Sequence, residues 1–250
     1  MLIHENMEKN YFSKSFEKQV VDDWIDRSEV SVQEIYLLSN YLLDNTLNVV
    51  EAGTGAGRLS FYIEESMEFK NVKAFDLIPE MVERSKTKAE HKKSNIEFIE
   101  ADASNLSSYS DGKFSYLVYL QQILCMVSSE RLGNALDEAH RISKPDATFI
   151  FSFMNWDSRW YNPVLSFSIN LIRFLSGRKI EKYYLPMLRV KDGINWDFFK
   201  KDQHGILWVK KKSIIKMLHK ASFKIETIYT DEDLTKSKGM AFYLICKKEE

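Results

Sequence analysis

A doubly wound α/β fold around a mostly parallel sheet is the architecture this 250-residue sequence predicts, and three observations predict it. Short apolar strands alternate with amphipathic helices from residue 47 to residue 153. A glycine-rich turn follows the first strand, where folds of this class bring backbone against a ligand. The alternation then lapses, and it resumes near the C-terminus in two strands whose connection is short enough for an antiparallel return. Alternation of this kind requires right-handed crossovers, which gives seven strands with the last one antiparallel.

Residues 1–45 read as an N-terminal helical segment. Phe16, Val20 and Trp24, then Val32, Ile35, Leu38 and Leu42, recur at three-to-four spacing, and Ser31 with Glu34 makes a capping box. Leu47–Glu51 is the first strand, and a helix runs from about Arg58 to Met67. Val72–Asp76 is the second strand, and Pro79 opens the next helix at its favoured first-turn position. Ile96–Glu100 is the third strand. Phe114–Leu120, the fourth, is apolar as a central parallel strand should be. A helix over Ser128–Ile142 and a turn at Lys144-Pro145-Asp146 lead into a fifth strand, Thr148–Phe153. A helix Ser213–Ala221 and strands Lys224–Tyr229 and Ala241–Cys246, joined by the polar loop Asp231–Gly239, complete the pattern. The expected organisation is therefore a core domain over 46–153 and 206–250, with an inserted subdomain over 154–205.

Composition narrows the function. With 35 basic and 36 acidic residues the chain has a formal charge of −1, so it lacks the basic excess of proteins that rely on phosphate neutralisation, and nucleic acid is disfavoured as a partner. The first ten residues show no signal-peptide pattern, and no apolar run is long enough to span a bilayer. Cys125 and Cys246 both sit in apolar segments and read as buried thiols of a reducing compartment, which points to a soluble, cytoplasmic protein.

The strongest local signal is Glu51-Ala52-Gly53-Thr54-Gly55-Ala56-Gly57 at the end of the first strand. A nicotinamide fingerprint would need glycine at position 58, which is Arg, and a phosphate-binding P-loop would need Gly-Lys-Ser/Thr. Asp76 closes the second strand, where a carboxylate can accept ribose hydroxyls. Asp102 follows the third strand, either as a ligand contact or as a helix cap before Asn105. Taken with Glu138-Ala139-His140-Arg141-Ile142-Ser143-Lys144-Pro145, this set resembles the class I S-adenosylmethionine-dependent methyltransferases, a Rossmann-like family. The resemblance covers roughly residues 45–153 and 205–247. It implies S-adenosylmethionine as cofactor and S-adenosylhomocysteine as product, with Glu51 near the cofactor's amino group, Asp76 on the ribose and Asp102 near the adenine amine. It also implies Ala52, Gly53, Thr54, Gly55, Gly57, Leu77, Met81, Ala103 and Gln121 around the cofactor. The family's usual Lys-Pro-Gly-Gly is altered here, since Asp146-Ala147 replace the glycines. Asp tolerates left-handed backbone better than most residues, so the turn can survive in changed form.

The acceptor is less legible. No Asn/Asp-Pro-Pro-Tyr/Phe clamp follows the fourth strand, no carboxylate for a metal lies between Lys113 and Ser129, and no Pro-Cys supplies a thiol nucleophile. These absences favour metal-independent transfer to O or N of a small organic acceptor, with an RNA or protein methyltransferase, or a non-catalytic cofactor-binding scaffold, as alternatives. Gln121 and Gln122 are candidates beside the methionine moiety and the substrate, or form a solvated strand edge. His204 is the candidate base, while His140 and His219 read as structural or exposed. Between residues 153 and 208 lie twelve aromatics, including four of the five tryptophans, so the insertion reads as a lid over an apolar or aromatic substrate. Trp156, Trp160 and Tyr183 are its substrate-side candidates. A closed subdomain and transient lipid contact are the other readings of this segment. Tyr11 and Phe12 are candidates for an N-terminal cofactor lid.

Overall fold

The computed structural model describes residues 29–158, 161–177, 184–186, 189–190, 193–194 and 205–249. Helix α1 (Val32–Tyr41) starts at the expected capping box: Ser31 Oγ accepts the Glu34 N–H, and the Glu34 carboxylate accepts the Ser31 N–H. The Phe16–Trp24 periodicity, Tyr11 and Phe12 lie outside the described residues.

Strands β1 (Val49–Ala52), β2 (Val72–Asp76), β3 (Glu97–Glu100), β4 (Phe114–Tyr119) and β5 (Ser143–Asn155) alternate with α2 (Arg58–Glu65), α3 (Pro79–Lys92) and α4 (Leu132–Ile142). The sheet runs β3-β2-β1-β4-β5, then β11 (Ala241–Lys248) and β10 (Phe223–Thr230). Strands β1 to β5 are mutually parallel, while β11 is antiparallel to both β5 and β10. Two apolar layers cover the sheet. Phe149, Phe151 and Phe153 project to one face against Phe223 and Phe242, and Val49, Val118 and Ile150 to the other against Leu37 and Leu59. The period-two alternation of β5 thus feeds both cores from a single strand.

Several boundaries differ from the sequence expectation. β5 begins at Ser143, because Lys144-Pro145-Asp146 is a bulge inside the strand: the register shifts between Phe114↔Ser143 and Tyr116↔Thr148. Asp146 takes φ +60°, so the residue standing in for glycine adopts the left-handed backbone the altered turn requires. α4 starts at Leu132, and Ser128 instead accepts turn bonds from Arg131 and Leu132. The loop after β10 contains a short helix, α7 (Asp231–Thr235), held by a Thr230–Asp233 capping box too local for periodicity to show.

After β5 come α5 (Pro163–Leu175), the short strands β6 (Tyr184–Pro186), β7 (Arg189–Val190) and β8 (Gly193–Ile194), then β9 (Gly205–Val209) and α6 (Lys211–Lys220). β9 pairs in parallel with Met154 and Asn155, beyond the last β4 partner on β5, and so prolongs the sheet at its carboxyl end. α5 buries Ser166 and Ile169 but leaves Val164, Phe167, Phe174 and Leu175 exposed. Among the described residues no helix is long and apolar enough to cross a membrane.

Candidate active site

β1 and β4 meet where the strand order reverses, the position at which open α/β sheets bind ligands. The chain leaves β1 through Gly53-Thr54-Gly55, whose backbone is held from both sides. Thr54 N–H donates to Phe75 O at 3.1 Å, and Ser85 Oγ donates to Gly55 O at 2.8 Å. Gly53 has φ +63° and lies against Ile123, where a Cβ would come within 2.3 Å of that side chain. Gly55 has φ +55°, and a Cβ there would meet nothing within 4 Å, because it would project into open space. Any side chain at 55 would be strained.

Beside the turn lies an apolar cleft of about 800 Å³, its open mouth included. Gly53 and Gly55 form its floor, and Phe75, Leu77 and Ile78 its β2 side. Met81 and Ala103 close two further walls, and Ile123, Met126 and Val127 come from the segment after β4. Asp76 and Asp102 supply its carboxylates. A second, smaller pocket, about 300 Å³ with its open mouth included, shares Gly53 and Gly55 and is lined in part by Glu51, Thr54, Arg58 and Gln121. The glycine turn therefore borders both an apolar pocket and one that carries Glu51, Arg58 and Gln121.

Asp76 is buried at the end of β2. One oxygen accepts the Gly55 N–H at 2.8 Å and the other the Ile78 N–H at 2.9 Å. Burial raises its pKa, opposed by these backbone donors. The carboxylate lines the cleft and offers the acceptor chemistry that ribose hydroxyls need. Asp102 caps no helix. Its Oδ1 takes the Ser104 N–H and hydroxyl, both at 2.8 Å, in a turn closed by Asn105 N–H to Asp102 O. Its Oδ2 pairs with Arg131 at 2.9 Å. The Glu138–Pro145 segment has a structural part here: Arg141 donates to Leu106 O and Tyr109 O at 2.9 and 3.0 Å and to Glu138 Oε1 at 2.8 Å, and so anchors the loop that carries Asp102.

Glu51 is 5% exposed. Thr54 Oγ1 donates to its Oε2 at 2.8 Å, and Ser60 Oγ donates to the same oxygen. Burial pushes its carboxyl up to about 7, against the lowering effect of the two hydroxyls. A cationic group in the chamber would restore its charge. An S-adenosylmethionine molecule fits this donor set on three counts: an apolar cleft for the base, a strand-end carboxylate for the ribose, and a buried carboxylate for the ammonium.

The other predicted residues fall as follows. Gln121 lines the polar chamber, and its Nε2 donates to Glu34 Oε1 at 2.9 Å. Gln122 lines neither cavity; its N–H donates to Ser152 Oγ at 2.8 Å. Both glutamines take φ +57°. Ala52 and Gly57 are also outside both linings, and Gly57 sits against Phe61 and Phe98 at the start of α2. Trp156 packs tilted against Tyr161 at 3.7 Å between centroids and carries Lys210 over its ring, at the root of the insertion. Trp160, Tyr183 and His204 lie outside the described residues. Among the described histidines none lines either cavity, and His140 packs edge-on against Phe223. Both cysteines are buried thiols, and Cys125 is pushed up to about 12 by burial. Sequence reasoning missed Ile123, Met126 and Val127, whose apolar run just after β4 was the available signal, and it missed Arg58 and Glu34.

Residues 49–146 match the family model described as a methyltransferase domain. No curated protein sequence matches the chain. Among solved structures, a 1,6-didemethyltoxoflavin-N1-methyltransferase of Burkholderia thailandensis is similar at 17% identity and TM-score 0.65, over 99% of this chain and 90% of that one. It was crystallised with 1,6-didemethyltoxoflavin and S-adenosylhomocysteine bound. An S-adenosylmethionine-dependent methyltransferase of Clostridium acetobutylicum gives 16% identity and TM-score 0.64, covering 96% and 99%. Another, from Methanosarcina mazei, gives 19% and 0.62, covering 85% and 97%. At these identities the likeness to solved structures is one of fold, while the domain match spans the glycine turn, Asp76 and Asp102. Residues 49–146 match a methyltransferase domain, and the chain shares the fold of solved S-adenosylmethionine-dependent methyltransferases.

Proposed function

We propose that this enzyme transfers the methyl group to an oxygen or nitrogen of a small organic acceptor, without a metal ion. The observation that carries the reading is the two-pocket cradle: the glycine turn borders both an apolar cleft holding Asp76 and a chamber holding Glu51. When bound, S-adenosylmethionine supplies a methyl carbon already activated by its sulfonium. The protein's share is then orientation and water exclusion. Asp76 accepts the ribose hydroxyls, Asp102 faces the adenine amine, and Phe75, Leu77, Met81, Ile123, Met126 and Val127 exclude water around the base. Glu51 accepts the ammonium, with Gln121 beside it. Ala52, Thr54, Gly57 and Ala103 shape the backbone around these contacts.

The core over 46–153 and 206–250 supplies this cradle in our reading, residues 1–45 close over the cofactor, and residues 154–205 shape the acceptor pocket. Gln122, Trp156, Trp160 and Tyr183 are assigned to that pocket, and His204 to proton removal where the acceptor needs it. The aromatic richness of residues 153–208 supports an acceptor that is apolar or aromatic in part. The 1,6-didemethyltoxoflavin bound in the Burkholderia protein supports a small organic acceptor. The test is a turnover screen with labelled methyl donor against fractionated metabolites, RNA and protein. Label in a small product of increased mass is expected. Label confined to RNA or protein would overturn the acceptor class.

A further inference from the structure

Glu34 does more than cap α1. A capping box needs one bond from this side chain, and a solvated glutamate would supply it. Glu34 is 6% exposed and takes three more. Its Oε2 accepts the Ser31 N–H at 2.8 Å and Arg58 Nη1 at 2.9 Å, while its Oε1 accepts Arg58 Nη2 at 2.7 Å and Gln121 Nε2 at 2.9 Å. The pair with Arg58 is bidentate, and both side chains are largely out of solvent. One carboxylate thereby ties together α1, the first residue of α2 and the turn after β4. Arg58 and Gln121 both line the polar chamber beside Glu51.

Three consequences follow for that chamber. The Arg58 charge is neutralised by Glu34, so it does not compete with a ligand cation for Glu51. The Gln121 amide is fixed with its nitrogen on Glu34, which makes Oε1 its acceptor. The electrostatic influences on Glu51 oppose each other, Arg58 favouring its charged form and Glu34 disfavouring it. We propose that Glu34 is a positioning residue for the amino-acid end of the cofactor, holding Arg58 and Gln121 in place so that Glu51 and the Gln121 carbonyl receive the ammonium. The inference rests on the proposed seating of the cofactor with its amino-acid end in the polar chamber.

The test compares two probes, S-adenosylhomocysteine and 5′-methylthioadenosine, which lacks the amino-acid end. Calorimetry on the full chain carrying Glu34→Gln should show affinity for S-adenosylhomocysteine reduced about ten- to a hundredfold, the effect of losing charge-assisted bonds. Affinity for 5′-methylthioadenosine should stay within about twofold. Gln121→Ala, a milder change outside α1, should give the same selective loss. In the double variant the two losses should be less than additive, because they act through one contact. Equal weakening of both probes, or no weakening of either, in whichever variant folds would overturn the proposal. If the unmodified protein binds 5′-methylthioadenosine as tightly as S-adenosylhomocysteine, the seating of the amino-acid end fails instead.

Discussion

Glu51 makes cofactor affinity depend on pH in a way that can be worked through. Its carboxyl is buried and raised from the ordinary 4.5 to about 7, with burial the largest cause. At about pH 6 roughly one-tenth of the free protein has Glu51 ionised, and at about pH 7.5 roughly three-quarters. If the cofactor's ammonium requires the charged form, apparent affinity scales with that fraction, and the dissociation constant at about pH 6 is about eightfold weaker. Stability of the ligand-free protein moves the other way. The folded pKa lies above the unfolded one, so the contribution is complete below 4.5 and is lost as pH rises through about 7, on the order of 3 kcal/mol in total. The assay is calorimetric titration with S-adenosylhomocysteine in two buffers of different ionisation enthalpy, beside thermal melts of the free protein. Release of about 0.9 proton per ligand is expected near pH 6. Glu51→Gln should remove the Glu51 component of both trends and raise ligand-free stability near pH 8. Affinity that is flat between about pH 6 and 7.5, or an unchanged pH dependence in Glu51→Gln, would refute the reasoning.

Gly55→Val should abolish measurable cofactor binding, since Gly55 lines the cleft and φ +55° adds about 1–2 kcal/mol of strain; calorimetry paired with a urea melt separates the two effects, and normal binding would contradict the cleft's assignment. Asp76→Asn should weaken S-adenosylhomocysteine about a hundredfold, because the amide offers one acceptor oxygen where the carboxylate has two; a loss under about threefold would remove the ribose role. Gln122→Gly should raise stability by about 0.5–1 kcal/mol in urea melts, because position 122 takes φ +57° and its N–H to Ser152 does not depend on the side chain; an unchanged midpoint would mean the turn is not strained.

The five parallel strands and the glycine turn were legible because each is encoded within a few neighbouring residues. The true start of β5 was hidden, since Lys144-Pro145-Asp146 has turn chemistry whether it ends a strand or bulges within one. Asp76 was legible as a candidate because a strand end and a carboxylate coincide in sequence. Asp102 was legible as a strand-end carboxylate, but its turn with Ser104 and its Arg131 partner depend on the loop anchored by Arg141. The Glu34–Arg58–Gln121 cluster had no local signature at all. Its members are spread over three elements, and only the sheet order brings them together.

Every described residue lining the cleft and its polar chamber falls between Glu51 and Val127. In hereditary terms the cradle is a cassette, encoded in one unbroken stretch that ends before β5. If residues 154–205 shape the acceptor pocket as proposed, recombination or drift downstream of Asn155 can rewrite the acceptor side while leaving the cradle's lining unchanged. A chimera that exchanges residues 156–204 for those of another methyltransferase of this fold should inherit its acceptor from the donor and its cofactor grip from this chain.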